Sequence, residues 1–288
     1  MQSIDSLMDV ADQCDAIVFD QWGVLHNGTA PYPGAAEAMH ALAAKGKKLA
    51  VLSNSGKRAK PNRERIAAMG LPASLLDEVM TSGEAFWQDV HHKRCQPGRL
   101  YAITAQPGDA QKWGEGLSVD WSSNLDEADA VLLMGLPEGG DGAAERAQLD
   151  DSLKRNLPLF CTNPDRGSPR ADGVMQLSPG ALAHAFKDAG GDVVVYGKPH
   201  RPVFDALIEA LETTPNQTLM VGDSLEHDIA GGANAGWKTV LVMGGLHADA
   251  YDTGSPETVT RRLAAEHASP LPDFLIGVLE RKEGTHNG

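Results

Sequence analysis

Apolar residues along this chain gather in short unbroken runs, separated by longer stretches in which they recur with helical spacing. Ala16–Phe19 is the first such run and predicts a buried strand. Pro33-Gly34 punctuates, and Ala35, Ala38, Met39 and Leu42 then fall on one helical face that Gly46 ends. Leu49–Leu52 predicts a second strand, closed by Ser53-Asn54-Ser55-Gly56. A polar helix is predicted from about Arg58 to Met69, and Val79-Met80-Thr81 predicts a short third strand. The same alternation returns near the end of the chain. Val193–Tyr196, Leu219–Val221 and Thr239–Met243 predict strands, and Val203, Phe204, Leu207 and Leu211 mark one helix face. A further helix is predicted over Leu225–Ala235, and Phe274–Ile276 reads as a last edge strand. Strands that are apolar throughout and alternate with helices specify a parallel sheet covered on both faces. The expected fold class is therefore α/β, with a doubly wound parallel-sheet core.

The middle, roughly Gly83 to Ala183, carries its own α/β pattern. Leu100–Thr104, Ala130–Met134 and Leu159–Thr162 predict strands, and Gly135–Gly142 a long loop. Both ends of this segment return to the same predicted sheet. That implies an inserted α/β domain over 84–183, within a core made of 1–83 and 184–288. The polar tail after Arg281 is expected to be disordered. No internal repeat of solenoid period is present.

Composition narrows the function classes. At 288 residues the chain can form one large or two medium domains. A formal net charge of −14 argues against nucleic acid, which needs clustered Lys and Arg. It does not exclude a small anion, since one cation and one Lys can reverse a local field. Cys14, Cys95 and Cys161 are far apart, with no CxxC, so a reducing cytoplasm is expected and a disulfide framework is not. Met1–Ala11 holds acidic residues without a long apolar stretch, which argues against a signal peptide. No window approaches the roughly eighteen apolar residues of a membrane span.

Ligands of open parallel sheets bind at the carboxyl ends of the strands, and Asp20, Ser53, Lys198 and Asp223 are all predicted at that edge. Asp20 closes the first apolar run. Gly222-Asp223 closes a matching run, with Asp228 five residues on. If the two strands are neighbours, the carboxylates converge on a cation, and Asp20 can act as a nucleophile toward phosphorus. Ser53 and the N–H groups after it suit a phosphoryl oxygen, and the Lys198 ammonium suits its charge. Each residue also has a plainer reading. Asp20 can end a strand, Asp223 and Asp228 can favour a helix start, Ser53 can cap, and Lys198 can be solvated.

Taken in order, these elements resemble the haloacid dehalogenase (HAD) superfamily. The placement of the insert resembles its subfamily IIA, the NagD-type branch with a large α/β cap. Supporting stretches are Val24–Gly28, Pro33-Gly34-Ala35, Thr81-Ser82-Gly83, Thr162–Asp165, Pro179–Leu182, Gly197-Lys198-Pro199 and Gly231 through Gly236. The resemblance implies a Mg²⁺-dependent hydrolase of small phosphate monoesters, of the sugar-phosphate or nucleotide phosphatase kind, acting on a phosphorylated metabolite. It implies Asp20 and Lys198 as catalytic residues. Gln21, Trp22, Ser53, Asn54, Asn163 and Asp165 are implied on the substrate side. Asp20, the Trp22 carbonyl, Asp223 and Asp228 are implied as metal ligands. Pairing of two chains through an apolar cap surface is left open.

Trp22 departs from the family pattern. The family's phosphatases carry an Asp there, which protonates the leaving oxygen and then activates water. Indole cannot accept a proton and donates weakly. His26 is either a substitute acid/base or a solvated or core histidine. His91, His92 and Cys95 are either metal ligands or a surface helix end. Two further functions therefore stand beside the hydrolase. One is a non-catalytic or regulatory protein that keeps the fold and the metal site. The other is carbon–halogen cleavage, against which the retained Asp223 and Asp228 argue, because such enzymes need no Mg²⁺.

Overall fold

The computed structural model describes residues 1–169 and 175–280. Contacts divide the chain into two compact units. The first comprises Met1–Leu52, Asn62–Val79 and Leu207–Gly288, and the second Ser53–Pro61 and Met80–Ala206. The second unit runs wider than the segment 84–183. The tail after Arg281 lies outside the described residues.

In chain order the strands are β1 (Gln2–Ser3), β2 (Ala16–Phe19), β3 (Lys48–Ser53), β4 (Glu78–Thr81), β5 (Leu100–Ile103), β6 (Trp121–Ser122), β7 (Ala130–Leu133), β8 (Leu159–Cys161), β9 (Gly167–Pro169), β10 (Met175–Leu177), β11 (Val193–Val195), β12 (Thr218–Gly222), β13 (Lys238–Val242) and β14 (Phe274–Ile276). They form a seven-stranded sheet of order β1-β14-β13-β12-β2-β3-β4, a five-stranded sheet of order β11-β8-β7-β5-β6, and the pair β10-β9. Every residue of β2 and β12 is buried, which is why both read as continuous apolar runs.

In the first unit, β2 and β12 pair in parallel, with Ile17 opposite Leu219 and Phe19 opposite Val221. From this central pair the chain leaves in opposite directions, β2 to β3 on one side and β12 to β13 on the other. The helix Ala35–Ala44 follows β2 and the π-helical segment follows β12, and crossovers that leave a sheet in opposite directions with the usual right hand lie on opposite faces. The carboxyl ends of β2 and β12 are thus a topological switch point, where the crossovers diverge and leave a crevice.

Three expectations are corrected. Phe274–Ile276 is a strand, but not the edge, because β1 pairs with it through Gln2–Phe274 and Ser3–Leu275. Two polar residues held by ladder bonds leave no hydrophobic signature. The expected helix Leu225–Ala235 is a π-helical turn, Leu225–Ile229, followed by a short α-helix, Ala230–Asn234. Ser224 O accepts from both Asp228 N (3.0 Å) and Ile229 N (3.1 Å), the widening typical of functional positions. Finally, Val193–Val195 does not open the return of the core sheet. It pairs with β8 in the second unit's sheet, with Lys198 beyond it. A three-residue valine run suits either sheet, and packing near Leu182 and Phe186 selects this one.

In the second unit, β11, β8, β7, β5 and β6 are parallel throughout. Their core is built from Ile103, Val131, Leu133, Leu149, Leu159 and Leu182 with Phe186. All three cysteines are free thiols. No helix among the described residues is long and apolar enough to cross a membrane.

Candidate active site

At the switch point, Asp20 N–H donates to Val221 O (2.9 Å), which locks the residue after β2 to the end of β12. The chain then folds back in a tight hairpin. Leu25 N–H (2.8 Å) and His26 N–H (3.1 Å) both donate to Gln21 O, and Gly23 N–H donates to His26 O (3.1 Å). Gly23 has φ of 81°, and a Cβ there would overlap the Asp223 carboxylate. Glycine is therefore required on two counts, backbone conformation and space. Trp22 stays 40% exposed. A Cβ on Gly28 would come 3.0 Å from its Nε1, so the indole lies against a loop that only glycine leaves open.

The sequence-predicted carboxylates meet. Asp20, Asp223 and Asp228 each offer an oxygen, and these oxygens lie within 4.8 Å of one another. Asp228 is fully buried and Asp223 nearly so. Asp228 Oδ2 accepts from Asp223 N (3.2 Å) and Ser224 N (3.0 Å), while Asp223 Oδ2 accepts from Leu246 N (2.8 Å). Backbone donors thus set the direction of both side chains. Three carboxylates held this closely, two of them buried, repel one another strongly without a counter-ion. The donor set is hard oxygen only, which suits a divalent cation of the Mg²⁺, Ca²⁺ or Mn²⁺ type. Among the described residues no other group of three His, Cys, Asp or Glu side chains comes together in this way. His91 and His92 belong to the end of the helix Ser82–His91 instead.

His26 is a core histidine, with no exposed surface. Gly28 N–H donates to its Nδ1 (3.1 Å), so the ring proton sits on Nε2, facing Gln21 Oε1 at 3.5 Å. Burial, and then the charge of Arg65, lower its pKa from 6.5 to about 4. It is neutral at physiological pH and closed off from solvent. Arg65 Nη2 donates to the same Gln21 Oε1 (3.2 Å), and burial lowers the Arg65 pKa in turn. Gln21 is buried, and its Nε2 has no hydrogen-bond partner among the described residues. Arg65 and Leu246 escaped the sequence reading. Arg65 lies on a polar helix with no motif around it, whereas the Gly244-Gly245 doublet after β13 was a legible signal of close backbone approach.

The remaining predicted residues belong to the second unit. Asn54, Asp165 and Lys198 come together there. Asn54 Oδ1 accepts from Lys198 N (2.7 Å), and Asn54 Nδ2 donates to Asp165 Oδ1 (2.7 Å) and to Lys198 O (3.4 Å). Asn163 Oδ1 accepts from Asp165 N (3.2 Å), an Asx turn that sets the loop. Ser53 Oγ accepts from Ser55 N at 3.4 Å.

Two family models match the chain. A haloacid dehalogenase-like hydrolase model covers residues 17–113, and a HAD-hydrolase-like model covers residues 195–266. The chain is 31% identical to chronophin of Homo sapiens, over 84% of this chain and 85% of that protein. It is 27% identical to glycerol-3-phosphate phosphatase of Homo sapiens, over 91% of this chain and 88% of that protein. Among solved structures it is similar to a haloacid dehalogenase-like hydrolase from Brucella suis 1330. That similarity has a TM-score of 0.79 at 28% identity, covering 95% of this chain and 98% of that one.

Proposed function

The chain belongs to the haloacid dehalogenase-like hydrolases, in the phosphatase-type subfamily IIA, and from that membership we propose that it hydrolyses small phosphate monoesters with Mg²⁺ through a phosphorylated Asp20. The observation that carries the reading is the convergence of Asp20, Asp223 and Asp228 where the crossovers diverge. Asp20 attacks phosphorus and the ester oxygen leaves. Water then attacks the aspartyl-phosphate and releases inorganic phosphate, so one difficult displacement becomes two easier ones. Asp20, Asp223, Asp228 and the Trp22 carbonyl would hold the cation. When bound, it neutralises charge on the phosphoryl oxygens. The backbone bonds onto Asp223 and Asp228 orient both carboxylates. Ser53, Asn54, Asn163, Asp165 and Lys198 keep the substrate-side and catalytic roles that the resemblance implies, and segment 84–183 that of the cap. A reducing cytoplasm and a phosphorylated metabolite as substrate complete the reading.

Trp22 sets the rate. Indole cannot protonate the leaving oxygen, and His26 is buried with its Nδ1 engaged. General acid–base help is worth roughly 10²–10⁴ in rate, so alkyl esters turn over slowly and aryl esters, whose oxygens leave as stable anions, turn over faster. The test is phosphate release from 4-nitrophenyl phosphate and from glycerol phosphate. Release should require Mg²⁺, vanish in Asp20→Asn, and favour the aryl ester. Trp22→Asp should raise the rate on glycerol phosphate by roughly tenfold or more. Activity of Asp20→Asn equal to wild type would rule out the nucleophile. The Trp22 substitution also favours a second reading, a metal-binding regulatory protein without turnover. Mg²⁺ binding with no hydrolysis of either ester would select it.

A further inference from the structure

The resemblance puts Asn54 and Asp165 on the substrate side, and their bonds in the second unit lead to Lys198 as well. Asn54 is only 7% exposed and Lys198 only 3%. The Asn54 amide is used at both ends, its oxygen by the Lys198 N–H and its nitrogen by the Asp165 carboxylate, each at 2.7 Å. A second, longer bond runs from the same nitrogen to Lys198 O. The amide therefore has one orientation. Turned over, it would set N–H against N–H and oxygen against carboxylate. The bond to Asp165 is charge-assisted and so the stronger kind. Asp165 is itself held through its own N–H by Asn163.

We infer that Asn54 and Asp165 are positioning residues for Lys198. Asp165 orients the Asn54 amide, and that amide fixes the Lys198 backbone, so the 163–166 loop and the Lys198 side chain are set together. This extends the phosphatase reading and rests on it for the role of Lys198, while the network itself can be tested without turnover.

Exchange of donor and acceptor isolates the contact. Asn54→Asp alone sets two carboxylates against each other. Asn54→Asp with Asp165→Asn restores one donor and one acceptor, with the bond reversed, and leaves an oxygen for the Lys198 N–H. Two readouts apply. The first is kcat and KM on 4-nitrophenyl phosphate with Mg²⁺. The second is the rate at which Lys198 is acetylated by an N-hydroxysuccinimide ester, followed by mass spectrometry. Asn54→Ala and Asn54→Asp should each raise Lys198 acetylation by about tenfold and lower kcat/KM by a similar factor, the usual size for losing such a bond. The exchanged pair should recover most of both losses. Asp165→Asn, which keeps an acceptor for Asn54, should lose less than Asp165→Ala. If the exchanged pair labels as fast as Asn54→Asp, the inference is wrong, whatever the activity. If wild type hydrolyses no ester while the labelling pattern holds, the phosphatase reading fails and the positioning network stands.

Discussion

Acidification should weaken the hairpin that carries Trp22 and Gly23, by an amount that follows from His26. The ring is fully buried, accepts the Gly28 N–H at Nδ1, and lies near the Arg65 charge. Its pKa in the folded protein is about 4, against an ordinary value of 6.5. Between those values the unfolded chain holds a proton on this ring and the folded chain does not. Stability is therefore fully present above about pH 6.5 and is lost as pH falls toward 4. At 1.36 kcal/mol per pH unit, the whole gap is worth roughly 3 kcal/mol. Urea unfolding of wild type and His26→Gln at about pH 7, 5.5 and 4.5 measures it, because carboxylate titrations common to both proteins cancel in the difference. The variant starts less stable, since glutamine fills less of the ring's cavity. Its deficit against wild type should shrink by roughly 2–3 kcal/mol between pH 7 and 4.5. A deficit that stays constant across this range would refute the buried, neutral assignment.

Two further outcomes follow from the carboxylate cluster. Asp20→Asn should remove most of the Mg²⁺-induced rise in thermal stability. At free Mg²⁺ of a hundred times the wild-type Kd, binding contributes about 2.7 kcal/mol, and a hundredfold weaker site contributes about 0.4 kcal/mol. An unchanged Mg²⁺ response in differential scanning calorimetry would show that the three carboxylates do not hold the ion. Gly23→Ala should cost about 1–2 kcal/mol for the left-handed backbone and, in addition, weaken Mg²⁺ binding by displacing Asp223. Gly46→Ala is its control, with φ of 76° and nothing within 4 Å of the added Cβ. Equal Mg²⁺ affinity in the two variants, measured by isothermal titration, would separate Gly23 from the metal site.

The parts of this fold legible in the sequence are those where burial writes a local pattern. β2 and β12 are buried on both faces, so each is an unbroken apolar run, and the acidic residues that end them declare their chemistry. Parallel pairing of two such strands was enough to predict that Asp20 and Asp223 converge. β1 was illegible, because Gln2 and Ser3 join the sheet by backbone bonds alone, Gln2 N to Asp273 O at 2.8 Å and Ile4 N to Leu275 O at 2.9 Å. β11 was legible as a strand, but not as a member of its sheet, since a valine run carries no address. The sequence leaves His26 open between proton carrier, solvated residue and core residue, and only its buried surroundings decide for the core. Its burial, the charge of Arg65 nearby and the Gly28 N–H on its ring are properties of the packed site and not of the residue. Asp165 and Lys198 likewise lie 111 and 144 positions beyond the Asn54 amide that joins them. Periodicity and side-chain chemistry are local and can be read along the chain. Partner choice, register and the loss of water around a polar group are non-local, and only tertiary packing decides them.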